Sequence, residues 1–209
     1  MGEMALLGGI KMKYYRKIKG KNIYLSPMNI QDVDKYVEWF NDLEITDRLN
    51  QSANICNEYT EKEWIEKTLL KSSSNFAIVK TADNTLIGNC GINKIDHISR
   101  RATIGIFIGD KDNRGRGYGS ETLKLLLDFG FKYLNLNNID LQVFDFNKNA
   151  IACYKKVGFK EYGRRHESYY CNGKYHDEIF MEILRKEYLC QNKHLSLIHI
   201  SEPTRLQLI

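Results

Sequence analysis

Apolar positions along this chain change their period several times, and each change marks an element. Asn22 to Leu25 alternates as a strand, and Pro27, which cannot donate to a ladder, ends it. Asn29 is placed to cap a helix whose apolar residues Val33, Tyr36, Val37 and Phe40 recur at helical spacing. Thr60-Glu61-Lys62-Glu63 reads as a capping box, in which hydroxyl and carboxylate each satisfy a free backbone N–H, and predicts a second helix to about Lys71. Three strand-like runs follow, Asn75 to Lys80, Leu86 to Ile95 and Ala102 to Ile108. Their links are short and polar, which predicts an antiparallel meander. Leu123, Leu126, Leu127, Phe131 and Leu134 then mark an amphipathic helix. Ile139 to Phe144 suits a central strand. Asn147 or Asn149 starts a helix bearing Ile151, Tyr154 and Val157, and Gly158 stops it. Asn172-Gly173 is a hairpin signal between two last strands, the second running from Tyr175 to Leu184.

This order predicts an α/β (α+β) domain built on a single mixed, mostly antiparallel sheet flanked by helices. A chain of 209 residues suits one such domain. Residues 1–11 carry no period and read as an appended leader ahead of a start at Met12. Residues 12–190 hold the domain, and 191–209 read as a vector-derived tail.

Composition narrows the function. No apolar run approaches the roughly 20 residues that cross a bilayer, so no membrane association is expected. Cys56, Cys90, Cys153, Cys171 and Cys190 form no C-x-x-C pair, which argues for reduced thiols in a cytoplasmic setting and against a metal. A net charge of +5 argues against nucleic acid as the main partner. The distribution of charge is more informative. Residues 31–66 hold ten acidic and three basic side chains, whereas residues 100–132 hold seven basic and four acidic ones. One region favours a cation and the other an anion, unless both are solvated helix faces.

The anion-favouring region contains Arg114-Gly115-Arg116-Gly117-Tyr118-Gly119. Glycine allows close approach to the main chain, and the helix that follows presents free N–H groups, so the turn is either a phosphate cradle or a plain chain reversal. It lacks the Gly-Lys-Ser/Thr ending of a P-loop and the glycine spacing of a dinucleotide fold.

Arg114-x-x-Gly117-x-Gly119 resembles the acyl-coenzyme A pyrophosphate loop of the GNAT superfamily of N-acetyltransferases, and Asn147-x-x-Ala150-Ile151-x-x-Tyr154-x-Lys156-x-Gly158-Phe159 resembles its second cofactor motif. The likeness extends from about Asn22 to Tyr188. Ile23-Tyr24-Leu25-x-Pro27-Met28 and Asn172-Gly173-Lys174-Tyr175-His176-Asp177 are similar to the branch of ribosomal-protein N-terminal and spermidine acetyltransferases. The resemblance implies a GNAT-like fold with splayed central strands, a bulge in Ala102 to Ile108, acetyl-CoA as cofactor, and direct attack of a primary amine on the thioester.

Residue by residue, it implies that Arg114, Gly115, Arg116, Gly117, Tyr118, Gly119 and Ser120 hold the pyrophosphate and that Lys156 meets a cofactor phosphate. Asn147 would hold the pantetheine arm, or serve as a helix cap, or both. Ile106, Phe107 and Ile108 would line the thioester end, where an N–H can stabilise an oxyanion. Tyr154 matches the family's general acid, with core packing as its alternative role. Related sequences often carry Glu where this one has Thr103, which cannot abstract a proton. Either a water chain ending at a carboxylate, with Glu44, Asp145 and Glu167 as candidates, takes the proton or the amine arrives neutral; His97, His166 and His176 could also serve, their alternative being polar surface or satisfied core positions. The acceptor site would lie between the first two helices and the last hairpin, with Trp39, Glu44, Glu167 and Tyr169 favouring a cationic amine. A polyamine or aminoglycoside-like cation and a peptide N-terminus compete as acceptors, Thr103 weakening the former. A non-catalytic acyl-CoA-binding module is the alternative of another class, and a homodimer is admitted.

Overall fold

The computed structural model describes residues 13–70 and 74–198. The expected leader and residues 199–209 of the expected tail lie outside the described residues. The chain runs β1 (Ile18–Lys19), β2 (Ile23–Pro27), α1 (Val33–Phe40), α2 (Leu43–Thr46), α3 (Glu58–Leu70), β3 (Ser74–Lys80), β4 (Leu86–Asp96), β5 (Arg101–Ile108), α4 (Tyr118–Lys132), β6 (Asn138–Phe144), α5 (Lys148–Val157), β7 (Lys160–Cys171), β8 (Lys174–Leu184) and α6 (Arg185–Ile198). The strands form one sheet in the order β1-β2-β3-β4-β5-β6-β8-β7. Among the described residues only β5 and β6 pair in parallel, so the sheet is mixed and mostly antiparallel, as expected.

Strand alternation divides the core into two layers. Ile23, Leu25, Ile78 and Ile139 face α4, α5 and α6, where they meet Leu123, Leu126, Leu127, Tyr154 and Tyr188. Tyr24, Ala77 and Val79 face the other way, against Tyr36 and Trp39 of α1 and Ile65 of α3. Leu123, Leu126 and Leu127 are fully buried, and each such side chain stabilises the fold by roughly 1.5–3 kcal/mol.

Four local expectations change. The capping box lies one turn earlier than Thr60-Glu61-Lys62-Glu63. Asn57 is the cap, its Oδ1 accepting from Thr60 N–H at 2.9 Å while Thr60 Oγ1 accepts from Asn57 N–H at 3.1 Å. The register of β5 with β4 is unbroken from Thr103 to Ile108, so no bulge interrupts that pairing; the extra residue lies on β4 between Asn93 and Asp96, where Lys94 takes φ 49°. Ahead of the first strand expected, at Asn22, Ile18 and Lys19 pair with β2 as the edge strand. Finally, the α6 backbone runs to Ile198, past the domain end expected at 190.

β1 is held in place by the helix that follows the glycine turn. Glu121, in the first turn of α4, accepts from the backbone N–H of Lys21 at 2.6 Å and of Asn22 at 2.8 Å, and from Asn22 Nδ2 at 2.9 Å. Asn172 (φ 50°) and Gly173 (φ 77°) both occupy the left-handed region, which gives the tight turn between β7 and β8.

Candidate active site

The glycine turn joins the end of β5 to α4. Gly115 (φ 73°) and Gly117 (φ 86°) are left-handed, and a Cβ built at either would meet nothing within 4 Å. Glycine here is demanded by backbone conformation, and the space above it is open to a ligand. Gly117 caps α4 without a side-chain hydrogen bond, so the first N–H groups of the helix have no side-chain cap. Open space, unsatisfied donors and the positive end of a 15-residue helix together form an anion cradle that a pyrophosphate fits.

The three cations of the turn have different positions. Arg114 turns back into the protein, Nε donating to Ile108 O at 3.2 Å, Nη2 to Gly109 O at 2.8 Å and Nη1 to Glu44 Oε1 at 2.6 Å. Lys111 Nζ meets the other oxygen of Glu44 at 2.5 Å. Arg116 is exposed and has no ion pair among the described residues. Arg114 thus braces the loop, while Arg116 remains available to an anion. Tyr118 packs against the core and Gly119 lies beside Cys153 of α5, whose sulfur is 3.2 Å from Ser120 Oγ. Lys156 is exposed on α5 with no ion pair among the described residues.

These contacts reassign Glu44. Hydrogen bonds and charge from Lys111 and then Arg114 hold its carboxyl down at about 2, far too weak a base to take a proton from an amine. Both its oxygens are occupied, so it is a clamp on the glycine loop and not an open acceptor ligand. The clamp stabilises the fold above the ordinary Glu value of 4.5 and is lost as pH falls through about 2. Glu44→Gln is therefore expected to be less stable than the parent at pH 7, with the gap in Tm closing between pH 4.5 and 2 in thermal melts.

Past the loop, the sheet opens. β5 and β6 pair only at Arg101↔Asn138, Ala102↔Ile139 and Thr103↔Asp140, and then diverge. Gly109 N–H bonds Ile87 O on β4, so by strand alternation Ile104, Ile106 and Ile108 turn their amide groups to the open side. The Thr103↔Asp140 pair uses the Ile104 N–H and Arg114 takes the Ile108 carbonyl, which leaves the Ile104 carbonyl and the main chain of Ile106 as free strand edge. The side chains of Ile106 and Ile108 pack toward α4, whereas Phe107 faces α1, 5.6 Å from Trp39 and 5.5 Å from Phe40 between ring centroids. Ile106, Phe107 and Ile108 thus lie along the divergence, with side chains on both faces of the sheet.

Asn147 closes the C-terminal side of β6. Its Oδ1 accepts from Ala150 N–H at 3.4 Å as the cap of α5, and its amide nitrogen makes no hydrogen bond among the described residues. Tyr154 is buried on α5, 6.0 Å from Phe159 between ring centroids. Burial raises its phenol above the ordinary value and keeps it protonated, as a proton donor must be. Its hydroxyl makes no hydrogen bond among the described residues.

Of the acceptor residues expected from the sequence, Tyr169 joins this region and Trp39 is already engaged. Trp39 is 2% exposed; its Nε1 donates to Asp110 Oδ1 at 3.0 Å and its ring is covered by Lys35 Nζ at 5.3 Å. It is a core wedge and offers no ring face to a cation. Glu167 is exposed at a register break of β7 with φ 48°, its N–H bonding Asp177. Much of the acidic 31–66 segment is likewise neutralised internally, Asp32 by Lys13, Glu38 by Lys35 and Glu63 by Lys67.

Tyr169 belongs to an aromatic cluster that sequence reasoning did not assemble. Its ring stacks on Phe144 at 4.0 Å and lies 6.4 Å from Phe146, which meets His176 edge-on at 4.6 Å. Asp145 Oδ1 lies 3.2 Å from His176 Nδ1. The signal for Phe144 was its parity with Asp140 and Gln142 along β6, opposite to core-facing Leu141 and Val143. The segment after α2 roofs the cluster. Ser52 Oγ lies 3.4 Å from the Tyr169 hydroxyl and donates to Asp47 at 2.6 Å, and Asn172 donates to the same carboxylate at 2.8 Å. Against the cost of burial, the bonds from Ser52 and Asn172 hold Asp47 below its ordinary value, so it is charged at neutral pH. His166 contacts Asp177 from an exposed position, and His97 is exposed in the β4–β5 turn.

Among the described residues, no helix is long and apolar enough to cross a membrane and no cluster of His, Cys, Asp and Glu could hold a metal. Comparison with known proteins gives a consistent set of matches. Residues 22–160 match the model of the acetyltransferase (GNAT) domain. The chain is 28% identical over 171 residues to the N-acetyltransferase p20 of Bacillus licheniformis, covering 80% of this chain and 96% of that one. It is 31% identical over 157 residues to the spermidine N(1)-acetyltransferase of Vibrio cholerae, covering 71% and 90%. The structure of spermidine N-acetyltransferase from Vibrio cholerae in complex with CoA and spermine superposes with a TM-score of 0.72 at 26% identity, over 81% of this chain and 99% of that one.

Proposed function

Because this chain belongs to the GNAT family of acetyltransferases and is an acetyl-CoA-dependent N-acetyltransferase, we propose that its acceptor is a small polyamine-like cation, received on the face of Phe144, Phe146 and Tyr169. The observation that carries this reading is that aromatic cluster, with the carboxylates Asp47 and Asp145 beside it. Rings and carboxylates together suit an alkylammonium chain, through cation–π contact with its charges and apolar contact with its methylenes. The spermidine acetyltransferase relatives support the same class.

Acetyl-CoA supplies the thioester carbon that the amine attacks. In our reading, the first-turn N–H groups of α4 and Arg116 bind its pyrophosphate, and Lys156 meets a phosphate. The free edge at Ile104 and Ile106 pairs with the pantetheine amides, much as an added strand would. Asn147 keeps its capping oxygen on Ala150 and donates its amide to the pantetheine arm. The main-chain N–H of Ile106 or Ile108 bonds the developing oxyanion, and Tyr154 protonates the leaving thiolate.

Thiol release from acetyl-CoA, measured with spermidine, spermine, an aminoglycoside and a peptide N-terminus, tests the acceptor. We expect kcat/KM for spermidine or spermine at least about tenfold above that for the peptide, roughly 1.4 kcal/mol of discrimination. Turnover confined to the peptide would overturn this reading.

A further inference from the structure

Nothing at Thr103 can take the proton of an incoming ammonium, and Glu44 is committed to Lys111 and Arg114. We propose that His176 is the general base of the reaction, with Asp145 as the positioning residue that fixes its tautomer. The inference rests on the acceptor lying on the aromatic face described above.

Three observations place the imidazole. The parallel register Arg101↔Asn138, carried forward, sets Ile106, Phe107 and Ile108 level with Val143, Phe144 and Asp145, so Asp145 stands where the open wedge is widest. His176 pairs directly with Tyr169 across the β7–β8 ladder and therefore shares the face on which Tyr169 stacks on Phe144. Its Nδ1 is 3.2 Å from Asp145 Oδ1, while Nε2 makes no hydrogen bond among the described residues. A carboxylate on Nδ1 selects the tautomer with the proton there, and leaves Nε2 a lone-pair acceptor. The other groups around the ring are Phe146 from the β6–α5 turn, Tyr169 from β7 and, one pleat along β8, Glu178 paired with Arg165; Asp47 reaches the cluster through Ser52.

The protons balance. The ammonium gives one proton to Nε2, and the neutral amine forms the C–N bond. The C–S bond then breaks, with its electron pair leaving on sulfur, which takes the Tyr154 proton. The resulting phenolate takes the second amine proton, and His176 returns its own to solvent.

The test is the pH profile of His176→Gln with the best amine of the acceptor panel. We expect kcat/KM to fall about 100-fold at pH 7 and less than about tenfold above pH 9.5, where the amine supplies its own neutral form. Acetyl-CoA affinity should stay within about twofold. Asp145→Asn should lose about tenfold, with Asp145→Glu recovering part, and nitrogen NMR should report loss of the protonated-Nδ1 signal in the Asn variant. A His176→Gln profile parallel to the parent's would return the imidazole to packing on Phe146. Loss of the acid limb in Asp140→Asn instead would move the base beside Thr103 and overturn the assignment. Any primary amine serves, so an acceptor that proves to be a peptide leaves this test standing.

Discussion

Gly117→Val is expected to weaken acetyl-CoA binding by at least about 100-fold, roughly 2.7 kcal/mol, while the protein still folds. Two effects act together. A β-branched residue at φ 86° is strained by about 1–3 kcal/mol, which lowers Tm by several degrees in a chain of this size. A Cβ at this position meets nothing within 4 Å, so the side chain enters open space, the volume proposed above for the pyrophosphate. Gly117→Asn separates the two effects. Asparagine tolerates the left-handed region, so this variant should melt close to the parent and still bind poorly. Calorimetric titration with acetyl-CoA decides the matter; unchanged affinity in either folded variant would refute the cradle.

Tyr154→Phe should lower kcat about 100-fold with acetyl-CoA affinity and Tm nearly unchanged. The hydroxyl makes no hydrogen bond among the described residues, so its removal orphans no partner and keeps the ring contact with Phe159. A lost packing role would instead appear as a lower Tm with kcat preserved. Steady-state kinetics beside a melting curve tell these apart, and an unchanged kcat would return Tyr154 to the core.

How much of this was legible in the sequence depended on whether a signal was local. Gly117, Asn147, Gly158 and Asn172-Gly173 each act through their own backbone and the next few residues, and each stands where its chemistry predicted. The capping box was misread by one turn because Asn57 and Thr60 are both competent caps, and only the helix start decides between them. Glu44 was counted toward a cation site because its neutralising partners lie about 70 residues away, beyond a meander. Asp145 and His176 were weighed singly for the same reason, since the β6–β8 register that joins them is not written at either position. Trp39 shows the opposite error, an aromatic ring taken for a recognition element when it fills the space above Gly109. Long-range pairing is a property of topology, and residue patterns carry little of it.

The divergence of β5 from β6 bears also on the mechanics of the molecule. Five strands lie on one side of that line and three on the other, with only three registered residue pairs at the seam. The two leaves are otherwise joined by α4 packed against α5 and by the contacts of Asp47 with Asn172 and of Ser52 with Tyr169. An acyl-CoA laid along the free edge is then a strut as well as a reactant. Its occupancy stiffens the seam by mass action, about 2.7 kcal/mol at a hundredfold excess over Kd, and its departure as product slackens it again. On that reading each turnover loads and unloads the seam where the sheet divides into its two leaves.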